Sequence, residues 1–226
     1  LLALLAGGTV ASQAQSTLVF DNMTGTSFTF TGVAPRNLFG GIYTLGGGAT
    51  SPVSLTGMDF SFGHFSTAPV TYTSVRFDVT FFNNANPAAT GTTPVFTNPV
   101  ASTFFTLSNF TAAANTRYTF EDTLPGSAPA VTFGAPITLT NTTDIGMQIL
   151  VRSDAGAGLV SNQNFTLALS SVAPPAVGSS SINGFFRNES QPNPTNASTS
   201  LLGSDGRGFA NTNNVGLSVR LYAAPP

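Results

Sequence analysis

Along Val70–Phe82, apolar and polar side chains alternate with a period of two. From Val75 onward, Val75, Phe77, Val79 and Phe81 fall on one side, and Arg76, Asp78 and Thr80 on the other. Successive side chains of a strand point to opposite faces, so this run predicts a central strand with one face on a core and one toward solvent. Upstream the phase is reversed, because Val70 and Tyr72 are the apolar positions there. The two phases meet at Ser74-Val75, which predicts a β-bulge or a bend in the strand.

Shorter runs bounded by Gly, Pro, Asn and Asp predict further strands. They lie at Thr17–Phe20, Ser27–Val33, Leu38–Leu45, Val53–Phe62, Thr103–Phe110 and Thr116–Glu121. Others lie at Ile137–Leu139, Ile145–Val151, Phe165–Leu169, Ile182–Phe186 and Val215–Leu221. Ile145–Val151 is almost continuously apolar, as expected of a strand covered on both faces. In the last run, Val215, Leu217, Val219 and Leu221 share one face and Gly216, Ser218 and Arg220 the other. Between the runs, Asn83-Asn-Ala-Asn-Pro87 reads as a loop, and Asp122–Pro136 as a long loop with an edge strand at Val131–Phe133. Residues 188–214 form a polar stretch too long for an ordinary turn, anchored at Leu201, Leu202 and Phe209. Roughly ten to twelve short strands at this spacing predict an all-β fold, an antiparallel two-layer β-sandwich that is jelly-roll-like. No fixed-period repeat and no shift in composition divides residues 16–226, so one domain is expected there.

The first fifteen residues differ in kind. Leu1–Gln15 is a short apolar run ending in small residues, with Ser12 and Ala14 spaced as at a cleavage site. It reads as the later part of a secretory signal peptide, and it is too short to span a membrane. An extracellular or cell-surface location follows as an expectation.

Composition narrows the functional classes. Only 7% of the 226 residues are charged, with a net charge of −2 and no Lys. Phosphate backbones and anionic membranes are gripped by clustered basic residues, so neither nucleic acid nor an anionic lipid surface is an expected partner. The 20 Phe residues argue against disorder. With no Cys, disulfides, thiolate metal sites and thiol catalysis are excluded together.

Candidate chemistry is sparse. The single histidine, His64, lies between aromatics in Phe60-Ser-Phe-Gly-His-Phe65, and no Gly-x-Ser-x-Gly elbow accompanies it. A packed histidine is the expectation, and no catalytic residue is assigned. Glycoside hydrolysis would need two carboxylates facing each other across a cleft. Asp59, Asp78, Glu121, Asp122, Asp144, Asp154, Glu189 and Asp205 show no such pairing in sequence. They read as turn residues and as partners of Arg, with Arg76 and Asp78 on one strand face as the example. Asp205, in Ser204-Asp-Gly-Arg-Gly208 and followed by Asn211-Thr-Asn-Asn214, is a weak calcium candidate, although Asp-Gly is also a good turn. No other cofactor is expected. Without Trp, and with Tyr only at 43, 72, 118 and 222, a sugar-stacking platform would rest on few residues.

The segment Gly208-Phe-Ala-Asn-Thr-Asn-Asn-Val-Gly-Leu-Ser-Val-Arg-Leu-Tyr-Ala-Ala-Pro-Pro226 resembles the last strand and exit of exported bacterial PEP-CTERM proteins. The low charge and strand patterning over residues 15–226 look like that group too, particularly its planctomycete-like members. The resemblance implies a signal peptide, a Thr-, Asn- and Gly-rich all-β ectodomain, and a sorting tail beginning with Pro-Glu-Pro. That tail would begin where this chain reads Ala223-Ala-Pro-Pro226. Members share no catalytic motif, so no functional residue carries over. The expectation is a non-enzymatic exported cell-surface or extracellular-matrix protein with a structural, adhesive or self-associating role, its partner a surface polysaccharide or another envelope protein. The alternative is a carbohydrate-binding β-sandwich module.

Overall fold

A computed structural model describes residues 16–23, 28–30, 38–86, 95–121, 129–156, 160–161, 164–170, 175–180, 186–188, 207–208 and 216–225. Among them are sixteen strands and no helix. The first eight are β1 (Thr17–Asp21), β2 (Phe28–Phe30), β3 (Leu38–Thr44), β4 (Val53–His64), β5 (Val70–Asn86), β6 (Val95–Ala112), β7 (Thr116–Phe120) and β8 (Val131–Leu139). The rest are β9 (Ile145–Asp154), β10 (Val160–Ser161), β11 (Phe165–Ser170), β12 (Ser179–Ser180), β13 (Phe186–Asn188), β14 (Arg207–Gly208), β15 (Gly216–Leu217) and β16 (Val219–Ala223).

Two antiparallel sheets pack face to face as a β-sandwich. In the first, β4 is the spine: β16 and β11 follow each other along one edge, β8 and β7 along the other, and β1 lies beyond β16. The second runs β14-β13-β3-β9-β5-β6. The main pairs are nested. β5 pairs with β6, β4 with β7 and β8, β3 with β9, and β1 with β16. One long antiparallel hairpin wound across two sheets in this way is the jelly-roll order, as the strand spacing predicts.

The core lies between the sheets. Phe77, Val79 and Phe81 of β5 and Ile149 of β9 are fully buried, as is Leu217. Phe77 sits among the rings of Phe60, Phe62 and Phe105, with centroids 4.9–5.2 Å away. Burying one such side chain is worth about 1.5–3 kcal/mol. Every residue of β9 from Ile145 to Val151 is buried, on both faces as predicted. A smaller cluster of Leu38, Ile42, Phe82, Ala85, Phe96 and Leu150 covers its second face. Phe96 packs against Gly146, where a Cβ would come within 2.4 Å of the ring.

The reversal of phase in β5 is real, and its cause is a bend. Tyr72 and Val75 are both buried while Thr73 is exposed, yet pairing with β6 keeps one register from Val70 to Phe81. Both strands turn together, with Asn109 of β6 at φ 51° opposite Thr73. The register shift lies instead at Phe81/Phe82, where Val100 is the extra residue. A similar irregularity between Leu55 and Gly57 explains why β4 alternates poorly in sequence. At Gly57 a Cβ would meet Pro129 and the Val131 carbonyl within 2.4 Å, so only glycine fits.

Three expectations are corrected. Asn83–Asn86 continues β5, paired with Val95–Thr97, because the partner strand supplies hydrogen bonds that the polar composition does not advertise. β6 accordingly begins at Val95 and absorbs Pro99 at its bulge, where a missing N–H does least harm. Val131–Phe133 and Ile137–Leu139 are one strand, β8, which takes in Pro136 where the register with β4 jumps from Ile137 to Thr132, outside the paired positions.

Candidate functional site

Three groups of polar side chains stand out in the fold, two rows and one corner. On the outer face of the first sheet, Asp21 of β1, Arg220 of β16 and Asp59 of β4 are direct cross-strand neighbours. Arg220 Nε reaches Asp21 Oδ1 at 3.2 Å, and its Nη1 lies 3.0 Å from Glu121 Oε2 and 3.7 Å from Asp59 Oδ2. Asp59 is fully buried; its Oδ1 accepts from Ala130 N–H and its Oδ2 from the Tyr222 hydroxyl, both at 2.7 Å. Burial pushes the Asp59 carboxyl above its ordinary value, outweighing the hydrogen bonds and Arg220, which favour the anion. Tyr222 is likewise pushed up, by burial and then by its bond to Asp59.

This arrangement gathers two residues of the sequence-derived acid set, Asp59 and Glu121, and adds Asp21, Arg220 and Tyr222. The added three are recoverable only from register: Arg220 lies on the polar face of the last strand, but its neighbours on that face belong to distant segments. Chemically the row is closed. Hydrolysis needs an acid and a base on either side of a substrate, whereas here a guanidinium stands between the carboxylates.

On the outer face of the second sheet, Asp78 takes Arg76 on one oxygen and Arg152 on the other, at 2.6–3.0 Å. The Arg–Asp pairing read from the strand pattern is therefore present, with Arg152 as a second partner. Arg76 also lies over the ring of Phe104, 3.9 Å from its centroid. Asp144 precedes β9 at φ 51°, and Asp154 ends that strand with its carboxylate accepting from Gly156 N–H at 2.7 Å.

The corner belongs to His64. It is fully buried, with Nδ1–H donating to the Ala113 carbonyl at 2.8 Å and Nε2 accepting from the Tyr72 hydroxyl at 3.0 Å. The amide of Asn164 donates to the same hydroxyl oxygen, at 3.0 Å. The carbonyl acceptor sets the tautomer. The bend in β5 is what carries Tyr72 across to the other sheet. Every polar atom of the ring is engaged, so the packed histidine read from sequence is what the fold contains.

Of the tyrosines, Tyr43, Tyr72 and Tyr222 are buried, and Tyr118 is half-buried with its hydroxyl accepting from Ala113 N–H. A pocket of about 110 Å³ between β1 and the start of β4 is lined by small residues such as Gly47, Ala49, Thr50 and Ala223, with no titratable side chain. Among the described residues, no three His, Asp or Glu side chains gather as for a metal, and no helix is long and apolar enough to cross a membrane. The signal-like residues 1–15 and Asp205 lie outside the described residues, as does most of 188–214. Within that stretch, Arg207–Gly208 pairs with β13 at the margin of the second sheet.

What the surface does present is β6. It ends the second sheet, and no charged residue occurs among its 18 residues. The two exposed large hydrophobic residues of the described chain, Phe104 (58% exposed) and Val95 (52%), both lie on it. Its inward-facing Phe105 and Leu107 are only half-buried. The chain matches no known family model, no curated protein and no solved structure.

Proposed function

We propose that this chain is a non-enzymatic exported protein of a bacterial cell surface or extracellular matrix, acting by association rather than turnover. The observation that carries the reading is β6, a long, uncharged strand at a sheet margin bearing an exposed Phe. Soluble monomers usually blunt such edges with Lys, Pro or covering segments. The consumption of His64, Asp59, Glu121 and Asp78 in internal bonds supports the same reading, since it commits these groups to structure. The resemblance of the C-terminal segment to exported surface proteins supports the proposed compartment.

Incubating the purified chain with washed envelopes of its host tests this. Retention on the envelopes, undiminished in high salt because few charges are involved, is expected. Turnover of an envelope polymer by the purified chain, or its complete recovery in the wash, would overturn the reading.

The second reading, a carbohydrate-binding module, is favoured by the surroundings of Phe104. One ring face is taken by Arg76, while Ser102, Thr106 and the Asp78 cluster offer polar groups on the same side of the sheet. Binding of soluble host polysaccharide that Phe104→Ala abolishes would favour it.

A further inference from the structure

We propose that two copies of this chain join edge to edge through β6, pairing Ala101–Leu107 antiparallel with the same residues of a second copy about a two-fold axis at Phe104. This rests on the associating role proposed above and deepens it by naming the partner and the surface.

The run Ala101-Ser-Thr-Phe-Phe-Thr-Leu107 contains no charge, Pro or Gly. Among the described residues β5 is the strand that pairs with it, and its outward-facing Ser102, Phe104 and Thr106 are exposed. The other main sheet margins are blunted: β8 carries Pro136, and β1 is only five residues long.

The local geometry selects a second copy as the occupant. The straight run is bracketed by two kinks, Asn98-Pro99 with Asn98 at φ 55° and Asn109 at φ 51°. Pro99 and Asn109 stand equally far from Phe104 in sequence. In an antiparallel self-pairing centred on Phe104, each kink therefore falls opposite the other copy's kink, and both clear the ladder. A two-fold axis perpendicular to the sheet preserves its faces, so outward residues meet outward ones. Phe104 faces its own copy, the closest cross-strand position for an aromatic pair, and Ser102 faces Thr106. On the inner side Thr103 faces Phe105 and Ala101 faces Leu107, covering two of the core-packed residues that β6 leaves half-buried. With no charge on the strand, no like-charged pair opposes the contact. The contact closes on itself, so it yields a dimer and not a filament.

Sedimentation of the full chain, with circular dichroism to confirm folding, tests the proposal. The parent should sediment at twice 23.2 kDa at high concentration. Ser102→Lys with Thr106→Lys sets like charges opposite each other and should give single chains. Ser102→Lys with Thr106→Glu sets opposite charges across the axis and should restore the dimer. Phe104→Cys, in a chain with no other Cys, should oxidise to a disulfide-linked dimer, whereas Val95→Cys should not. A parent that stays monomeric, or a dimer that the Lys pair leaves intact, overturns the proposal. A dimer lost in both double variants overturns the Phe104 register. A monomer that still binds envelopes removes this inference alone, and a dimer that does not bind them removes only the surface role.

Discussion

Replacing Asp59 by alanine asks whether the carboxylate row holds the sheet together. The side chain is fully buried, with Ala130 N–H and the Tyr222 hydroxyl both bonded to it at 2.7 Å and Arg220 Nη1 at 3.7 Å. Asp59→Ala leaves both donors without an acceptor, and an orphaned buried donor costs about 1–3 kcal/mol. Breaking a buried ion pair costs about 3–5 kcal/mol when it strands the partner, but Arg220 keeps Asp21 and Glu121. The total should therefore be about 3–4 kcal/mol. For a chain of this size that lowers the melting temperature by about 6–16 °C. Asp59→Asn keeps an oxygen for Ala130 and an amide for Tyr222, and should stay within about 1 kcal/mol of the parent at neutral pH. The two parent-like proteins then separate with pH. A carboxyl whose value is raised by folding binds its proton more tightly when folded. Its contribution is complete below the ordinary value near 3.8 and is lost as pH climbs through the raised folded value. Melting curves by scanning calorimetry should show the parent losing stability relative to Asp59→Asn across that window, with no further change above it. A loss under about 1 kcal/mol in Asp59→Ala, or a parent that gains on Asp59→Asn as pH rises, would refute the reasoning.

Three further outcomes are expected from denaturant unfolding. Phe77→Ala should cost about 3–5 kcal/mol, since the residue is enclosed by Phe60, Phe62 and Phe105; a near-neutral result would contradict the shared core. His64→Ala should cost about 2–4 kcal/mol by orphaning the Ala113 carbonyl and the Tyr72 hydroxyl, yet leave envelope binding intact wherever the protein is folded. Tyr43→Phe should be neutral or stabilising by about 1 kcal/mol, because the buried Tyr43 hydroxyl has no hydrogen-bond partner among the described residues; a clear loss would show that the hydroxyl is bonded in solution.

The sequence reveals what alternation encodes. The phase of β5, the double coverage of β9 and the burial of Leu217 follow from which positions are apolar, because a one-residue slip would turn each set to the wrong face. What alternation cannot encode is which strand lies beside which. The Asp21–Arg220–Asp59 row joins residues from the two ends of the chain and its first third, and only register brings them together. The stretches Asn83–Asn86 and Val95–Ser102 look like loop because Asn and Pro are poor strand formers in isolation. The paired backbone and one bulge override that preference. Asn109, which the sequence places within a strand over Thr103–Phe110, and Pro99 are in the fold what delimits the uncharged run of β6.

The central claim is that this is a surface or matrix protein that works by association. It is met most directly by fractionating the native host and following the chain with an antibody. The account predicts that the chain stays with washed cells and extracellular matrix and is released by denaturant more readily than by salt. Recovery in the cytoplasm, or wholly as free protein in the medium, would contradict it.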